Sequence, residues 1–260
     1  MTTALELDRV SVDIAGRRVV DNLSLTVAPG EVVGIVGANG CGKTTVIRAA
    51  LGLVRVQTGD VRLAGRPVLS LSEAERARSA GYLPQERRIA WNLPAWRVAA
   101  LGAPHLTPAK ARAVATDALA EAGMAELARR GVLDMSGGER ARVLLARLIA
   151  TGAPLLVADE PAAGLDPDAQ LLVADLLRAR AARGAAVLVT LHDLTLAARG
   201  CDRLVVMGQG RVVAQGTPRE TLTLDVLGAA FGLTGALIDT AGGAVVAVSR
   251  RVADVAHPTA

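Results

Sequence analysis

Nine residues constrain this chain more than any other stretch: Gly37-Ala38-Asn39-Gly40-Cys41-Gly42-Lys43-Thr44-Thr45. They fit G-x-x-x-x-G-K-[ST], the P-loop, whose backbone N–H groups cradle phosphate. The apolar run Val32-Val33-Gly34-Ile35-Val36 before it reads as a buried strand, and Val46-Ile47-Arg48-Ala49-Ala50-Leu51 after it reads as the first turns of a helix. That strand–loop–helix context is what the motif needs. The glycines let the backbone curl so that successive N–H groups converge, and the helix N-terminus adds its positive dipole end. Lys43 then reaches the β- and γ-phosphates, and the Thr44 hydroxyl binds magnesium. Gly37, Asn39, Gly40, Cys41, Gly42, Lys43, Thr44 and Thr45 are therefore the expected phosphate-binding residues. The choice of lysine is itself informative: of 29 Lys and Arg residues only Lys43 and Lys110 are lysines. A compact ammonium suits a tight nest of amides better than a planar guanidinium.

Bulk properties narrow the class. A chain of 260 residues, 51% hydrophobic, buries enough surface to fold without disulfides, as one large domain or a core with a subdomain. No apolar run approaches the roughly 20 residues that span a bilayer. The N-terminus shows no basic patch followed by an apolar stretch, so no signal peptide is expected. Two cysteines far apart in sequence suit a reducing compartment. The net charge is +4 with 2% aromatic residues. Without a basic run or a stacking platform, nucleic acid is not an expected partner.

Period-2 bursts between residues 4 and 30 (Leu5-Glu6-Leu7, Val10-Ser11-Val12-Asp13-Ile14, Leu23-Ser24-Leu25-Thr26-Val27) predict antiparallel strands, with turns at Ala15-Gly16 and Pro29-Gly30. Residues 59–65 predict a short hairpin element, Ser72 caps a helix, and Tyr82-Leu83-Pro84-Gln85 ends a strand. Residues 107–122 predict an alanine-rich helix with Thr107 as cap and Pro108 as first helical residue. Residues 141–150 predict a second helix. The chain returns to strand at residues 154–159, to helix at 167–182, to strand at 186–191 and to a hairpin at 203–215. Beyond Gly216 the pattern weakens to one helix near 224–231 and a last strand near 245–248. The fold class is α/β: a P-loop NTPase core on a mostly parallel sheet, an antiparallel β subdomain and an inserted α-helical subdomain. The expected division is 1–86 with 151–220 for the nucleotide-binding core, 87–150 for the helical subdomain and 221–260 for a C-terminal extension.

Leu155-Leu156-Val157-Ala158-Asp159-Glu160 is an apolar strand ending in two carboxylates. Ligands of parallel α/β sheets sit beyond such strand ends. Asp159 is placed to hold magnesium and Glu160 to polarise a water for in-line attack; a solvated strand end is the bland alternative. Met135-Ser136-Gly137-Gly138-Glu139 opens a helix with capping-box spacing. The two glycines are poor helix formers and suit a phosphate approaching the helix N-terminus closely.

The order P-loop, Gln85, Ser136-Gly137-Gly138-Glu139, Asp159-Glu160, Gly164-Leu165-Asp166, His192 resembles that of ATP-binding cassette (ABC) ATPases over about residues 4–220. The resemblance implies ATP and Mg2+ as ligands. It implies Gln85 as the glutamine linking magnesium and the attacking water to the helical subdomain. Ser136, Gly137 and Gly138 become the signature that binds the γ-phosphate held by another protomer, Asp166 an interface aspartate, and His192 a switch histidine contacting the γ-phosphate. His105 and His257 carry no such role. One P-loop and one signature per chain imply two chains sandwiching nucleotide, as a homodimer or with a related second chain.

Three positions depart from the family pattern. Ile14 stands where an aromatic usually stacks on adenine, Met135 and Glu139 replace Leu and Gln, and Cys41 sits within the P-loop as a small filler or a thiol open to alkylation. The stretches Trp96-Arg97-Val98-Ala99-Ala100-Leu101-Gly102-Ala103-Pro104-His105 and His192-Asp193-Leu194-Thr195-Leu196-Ala197-Ala198-Arg199 are similar to the importers of metal chelates: siderophore-iron, haem or cobalamin. That similarity implies an ATPase powering import through separate integral membrane permease subunits, with a separate substrate-binding protein. The chain would then be cytoplasmic, peripheral on the inner face of the membrane. Arg87, Arg88, Trp91 and Trp96 either dock the permease or, for the tryptophans, pack within the subdomain. A soluble ABC ATPase acting as a mechanical or assembly factor is the alternative; the long coiled coils or second cassette of such proteins are absent here.

Overall fold

The computed structural model describes residues 3–86 and 89–250. Among these the elements run β1 (Leu5–Ile14), β2 (Arg17–Val27), β3 (Val32–Gly37), α1 (Lys43–Ala50), β4 (Thr58–Leu63), β5 (Arg66–Pro67), α2 (Glu73–Ser79), β6 (Ala80–Leu83), α3 (Ala95–Ala100), α4 (Pro108–Glu121), α5 (Gly137–Ala150), β7 (Leu155–Asp159), α6 (Pro167–Ala182), β8 (Ala186–Leu191), α7 (Leu194–Gly200), β9 (Arg203–Gly208), β10 (Arg211–Gly216), α8 (Pro218–Thr221), α9 (Leu224–Phe231), β11 (Leu233–Thr240) and β12 (Gly243–Arg250).

The central sheet has six strands in the order β10-β9-β3-β8-β7-β6. Its strands pair in parallel except β10, which returns antiparallel to β9. Buried on both faces, β3, β7 and β8 are apolar almost throughout. Alternation along β3 sorts its side chains into two cores. Val33 and Ile35 pack with α1 and the antiparallel sheet β2-β1-β4-β5. Val32 and Val36 pack with α5, α6 and α7.

The two bursts before the first turn form one strand, β1, rather than two. Register shifts near Val10 and a left-handed Arg9 (φ 49°) bend it without ending it. Thr107 occupies the N-cap of α4 but its hydroxyl makes no cap bond; Pro108, having no N–H to satisfy, starts the helix by its fixed φ. Helices α3 and α7 and strand β11 have no counterpart in the sequence pattern. Strand β12 extends the expected last strand and pairs with β11 as an antiparallel hairpin. Trp96 is half-buried between the guanidiniums of Arg97 and Arg112, 5.4 and 4.8 Å from its ring, so it packs within the helical region. Trp91 is 73% exposed. Arg87, Arg88 and His257 lie outside the described residues. No helix among the described residues is long and apolar enough to cross a membrane.

Candidate nucleotide site

Four neighbouring strands of the central sheet end on the same side and deliver the candidate residues. The P-loop follows β3, His192 follows β8, Asp159 closes β7 with Glu160 next, and Gln85 lies just past β6. This is the carboxyl edge at which open parallel sheets bind ligands.

At the P-loop, α1 starts at Lys43 behind a left-handed Gly42 (φ 107°), with no side-chain cap and no acid in its first turn. Its N–H groups and dipole are left for an anion. Glycine is required at 37 for another reason: a Cβ there would sit 2.5 Å from the Met207 carbonyl oxygen. Lys43 is 5% exposed, and its ammonium donates to the carbonyls of Gly37 (2.9 Å) and Ala38 (3.4 Å), which holds it over the loop. Cys41 turns its thiol inward, into the core under the loop. Burial pushes that thiol's pKa up, so it is a filler rather than a reactive group beside the phosphates.

The carboxylates are held tightly. Glu160, 7% exposed, adopts a left-handed backbone (φ 51°), a conformation that costs a non-glycine residue roughly 1–2 kcal/mol. Its Oε2 accepts from Gln85 Nε2 at 2.6 Å, and its Oε1 meets His192 Nε2. Asp159 is fully buried; its Oδ1 accepts from the Thr190 hydroxyl at 2.6 Å, and its Oδ2 has no hydrogen-bond partner among the described residues. A buried carboxylate oxygen without a donor fits a hard cation. Magnesium typically takes one or two carboxylates with substrate phosphates and waters, so the lack of a fuller His, Cys, Asp and Glu cluster among the described residues does not count against it. Thr44, Gln85 and Asp159 are the residues that would hold it.

A cleft of about 440 Å3 gathers Asn39, Gly40 and residues 42–45 with Gln85, Glu160 and His192. It is completed by Val19 of β2, which sequence reasoning passed over. Ile14 ends β1 at 45% exposure and is not among the residues lining this cleft. The second residue missed is Thr190, a hydroxyl inside the apolar run of β8.

Ser136, Gly137 and Gly138 are not part of this cleft. They form the start of α5, Ser136 and Gly137 exposed and Gly138 half-buried, where the local capping reading holds. Glu139 N donates to Ser136 Oγ at 3.2 Å, and Ser136 N donates to Glu139 Oε2 at 2.7 Å. Nothing lies within 4 Å of where a Gly137 Cβ would project. Asp166 caps α6 through Ala169 N at 2.9 Å, and a Cβ at Gly138 would lie 3.9 Å from its Oδ2. Gly138 and Asp166 are thus neighbours.

Comparison with known proteins gives this arrangement its context. The ABC transporter family model matches residues 20–163. The chain is 41% identical over 247 residues to the cobalamin import ATP-binding protein BtuD of Halobacterium salinarum, covering 93% of this chain but only 62% of that protein. It is 39% identical over 244 residues to the hemin import ATP-binding protein HmuV of Bordetella avium, covering 88% of this chain and 92% of the relative. Among solved structures, the ATP binding subunit of an ABC transporter matches with a TM-score of 0.74 at 28% identity, covering 83% of this chain and 90% of that one. A component of the cbiONQ transporter complex from Clostridium perfringens shares the fold, with a TM-score of 0.78 at 24% identity over 87% of this chain and 93% of its own. The family match runs from β2 through the P-loop to just past the carboxylates of β7, and on it the chain belongs to the ABC transporter family.

Proposed function

We propose that this chain binds and hydrolyses ATP as the energy-supplying subunit of an importer for a metal chelate of the siderophore-iron, haem or cobalamin type. One observation carries the reading: four adjacent strand ends bring a phosphate nest and a Gln85–Glu160–His192 cluster to one cleft, with the fully buried Asp159 next to Glu160 in the chain. Lys43 and the P-loop amides hold the phosphates, and Glu160 takes the proton of the attacking water. Gln85 and His192 orient Glu160 and read the γ-phosphate. Thr44, Gln85 and Asp159 would hold magnesium, which would neutralise phosphate charge. The relatives named for hemin and cobalamin import support the cargo class.

Two chains, each lending the Ser136–Gly138 signature to the other's nucleotide, form the working homodimer. It sits on the inner face of a membrane, against permease subunits fed by a separate binding protein. Exposed Trp91, with Arg87 and Arg88, contributes to the permease contact.

The test uses tagged Glu160→Gln with ATP and magnesium, purified from detergent-solubilised membranes of the native cell and analysed by mass spectrometry. A many-helix permease in stoichiometric yield is expected, together with ATP retention and turnover at least ~100-fold below wild type, the usual contribution of a general base. A soluble dimer with no membrane protein would instead favour an ABC ATPase working as a mechanical factor. Undiminished turnover would remove Glu160 from its role.

A further inference from the structure

Thr190 is paired in register with Asp159 across the parallel strands β8 and β7, and it is completely buried. Its hydroxyl donates to Asp159 Oδ1 at 2.6 Å and accepts from the Glu160 N–H at 2.8 Å. A single oxygen therefore ties together the side chain of one carboxylate residue and the backbone of the next. The second of these holds a left-handed conformation (φ 51°) that a non-glycine residue keeps only when its surroundings fix it.

We infer that Thr190 is the positioning residue of this site: its hydroxyl fixes the carboxylate that faces magnesium and, through the Glu160 amide, the direction in which the catalytic carboxylate leaves the backbone. The inference rests on the reading of the cleft as a magnesium–ATP site. Three facts support it over a purely structural hydroxyl. With Oδ1 committed to Thr190, Oδ2 is the Asp159 oxygen left without a donor among the described residues. Turning the Asp159 carboxylate out of this plane would break the bond to Thr190, so Thr190 fixes the direction in which the other oxygen points. The Glu160 side chain is already held at its far end by Gln85 and His192, so Thr190 supplies the complementary anchor at its backbone. A polar residue that only filled space in an otherwise apolar strand would have no reason to satisfy both neighbours at once; a valine of equal shape would serve.

Thr190→Val keeps the volume and removes the hydroxyl. Three readouts separate positioning from packing. Mn2+ affinity of the complex with adenylyl imidodiphosphate, read by electron paramagnetic resonance, is expected to fall ~10-fold or more, as for residues that orient metal ligands. Hydrogen exchange at the Glu160 amide of the nucleotide-free protein is expected to accelerate. The kcat for ATP is expected to drop ~10-fold or more while KM moves less than ~3-fold, because the P-loop is untouched. Thr190→Ser, which retains the hydroxyl, is expected to recover most of each loss. Should Thr190→Val not fold, Thr190→Ala carries the same three measurements.

Wild-type Mn2+ affinity and kcat in a folded hydroxyl-free variant would overturn the inference, as would equal losses in Thr190→Ser and Thr190→Val. A wild-type protein that shows no magnesium-dependent ATP hydrolysis, in isolation or with its membrane partner, would instead overturn the reading of the site. The two failures are told apart by the wild-type control.

Discussion

At the scale of single residues, the P-loop cysteine shows how position reverses what composition suggests. On paper Cys41 is a thiol among phosphate-binding amides. In the fold it faces the core beneath the loop, close enough that a Cβ on Gly37 would meet its sulfur at 2.6 Å. Burial raises its pKa, and raises that of Cys201 to about 12. A raised thiol pKa lowers the thiolate fraction at neutral pH, and the thiolate is the reactive species. Both cysteines are therefore expected to resist iodoacetamide in the native protein at pH 7.5 and to label promptly in guanidinium, as read by mass spectrometry. Rapid native labelling of Cys41 would mean that the loop opens to expose it. The carboxylates were legible because Asp159 and Glu160 end an apolar run. Thr190 was not, because its meaning depends on which residue of β7 lies beside it, and a strand's sequence does not state its register.

At the scale of elements, the start of α5 couples fold stability to pH. Glu139 accepts from the Ser136 N–H, and this bond, more than any other interaction, holds its carboxyl below the ordinary value of 4.5. A carboxyl depressed in the folded state stabilises the fold fully above its unfolded pKa, and loses that contribution as pH falls through the depressed value. Glu139→Gln keeps an acceptor without the charge. The variant is expected to have a lower Tm than wild type at pH 7, with the gap closing as pH falls below 4.5. A gap independent of pH would show that charge plays no part in this cap. Legibility among elements followed burial and length. Strand β8 and helix α6 stood out because one is apolar on both faces and the other is long and opened by Asp166-Pro167. Helix α3 has six residues behind Pro94, with no side-chain cap to announce it. Strand β11 is mostly exposed or half-buried, so it carries no alternation for a reader to find; its partner β12, and the bonds of that hairpin to α7 at Thr195 and Arg199, create its context.

At the scale of the whole molecule, the proposed function puts two halves of one chemistry apart on each chain. The phosphate nest and Glu160 share a cleft, whereas Ser136 and Gly137, exposed, and Gly138, half-buried, lie at the tip of α5 and line none of it. A closed two-fold pairing would resolve this, because each chain would offer its Ser136–Gly138 segment to the other's P-loop while receiving the same in return. The arrangement makes a prediction that no single-chain site would meet. Lys43→Ala removes the ammonium at one P-loop; Ser136→Arg blocks the signature. Each variant alone builds only defective sites. In a mixed dimer, one site joins both lesions, but the other joins an intact P-loop to an intact signature. Mixing the two purified variants is therefore expected to restore ATP hydrolysis that neither has alone, rising with the fraction of mixed dimer measured by light scattering and mass spectrometry. If both variants are folded and form mixed dimers yet hydrolysis does not return, the signature does not complete the partner's site. Activity in Ser136→Arg alone would lead to the same conclusion, with the start of α5 then serving only as the capped end of a helix.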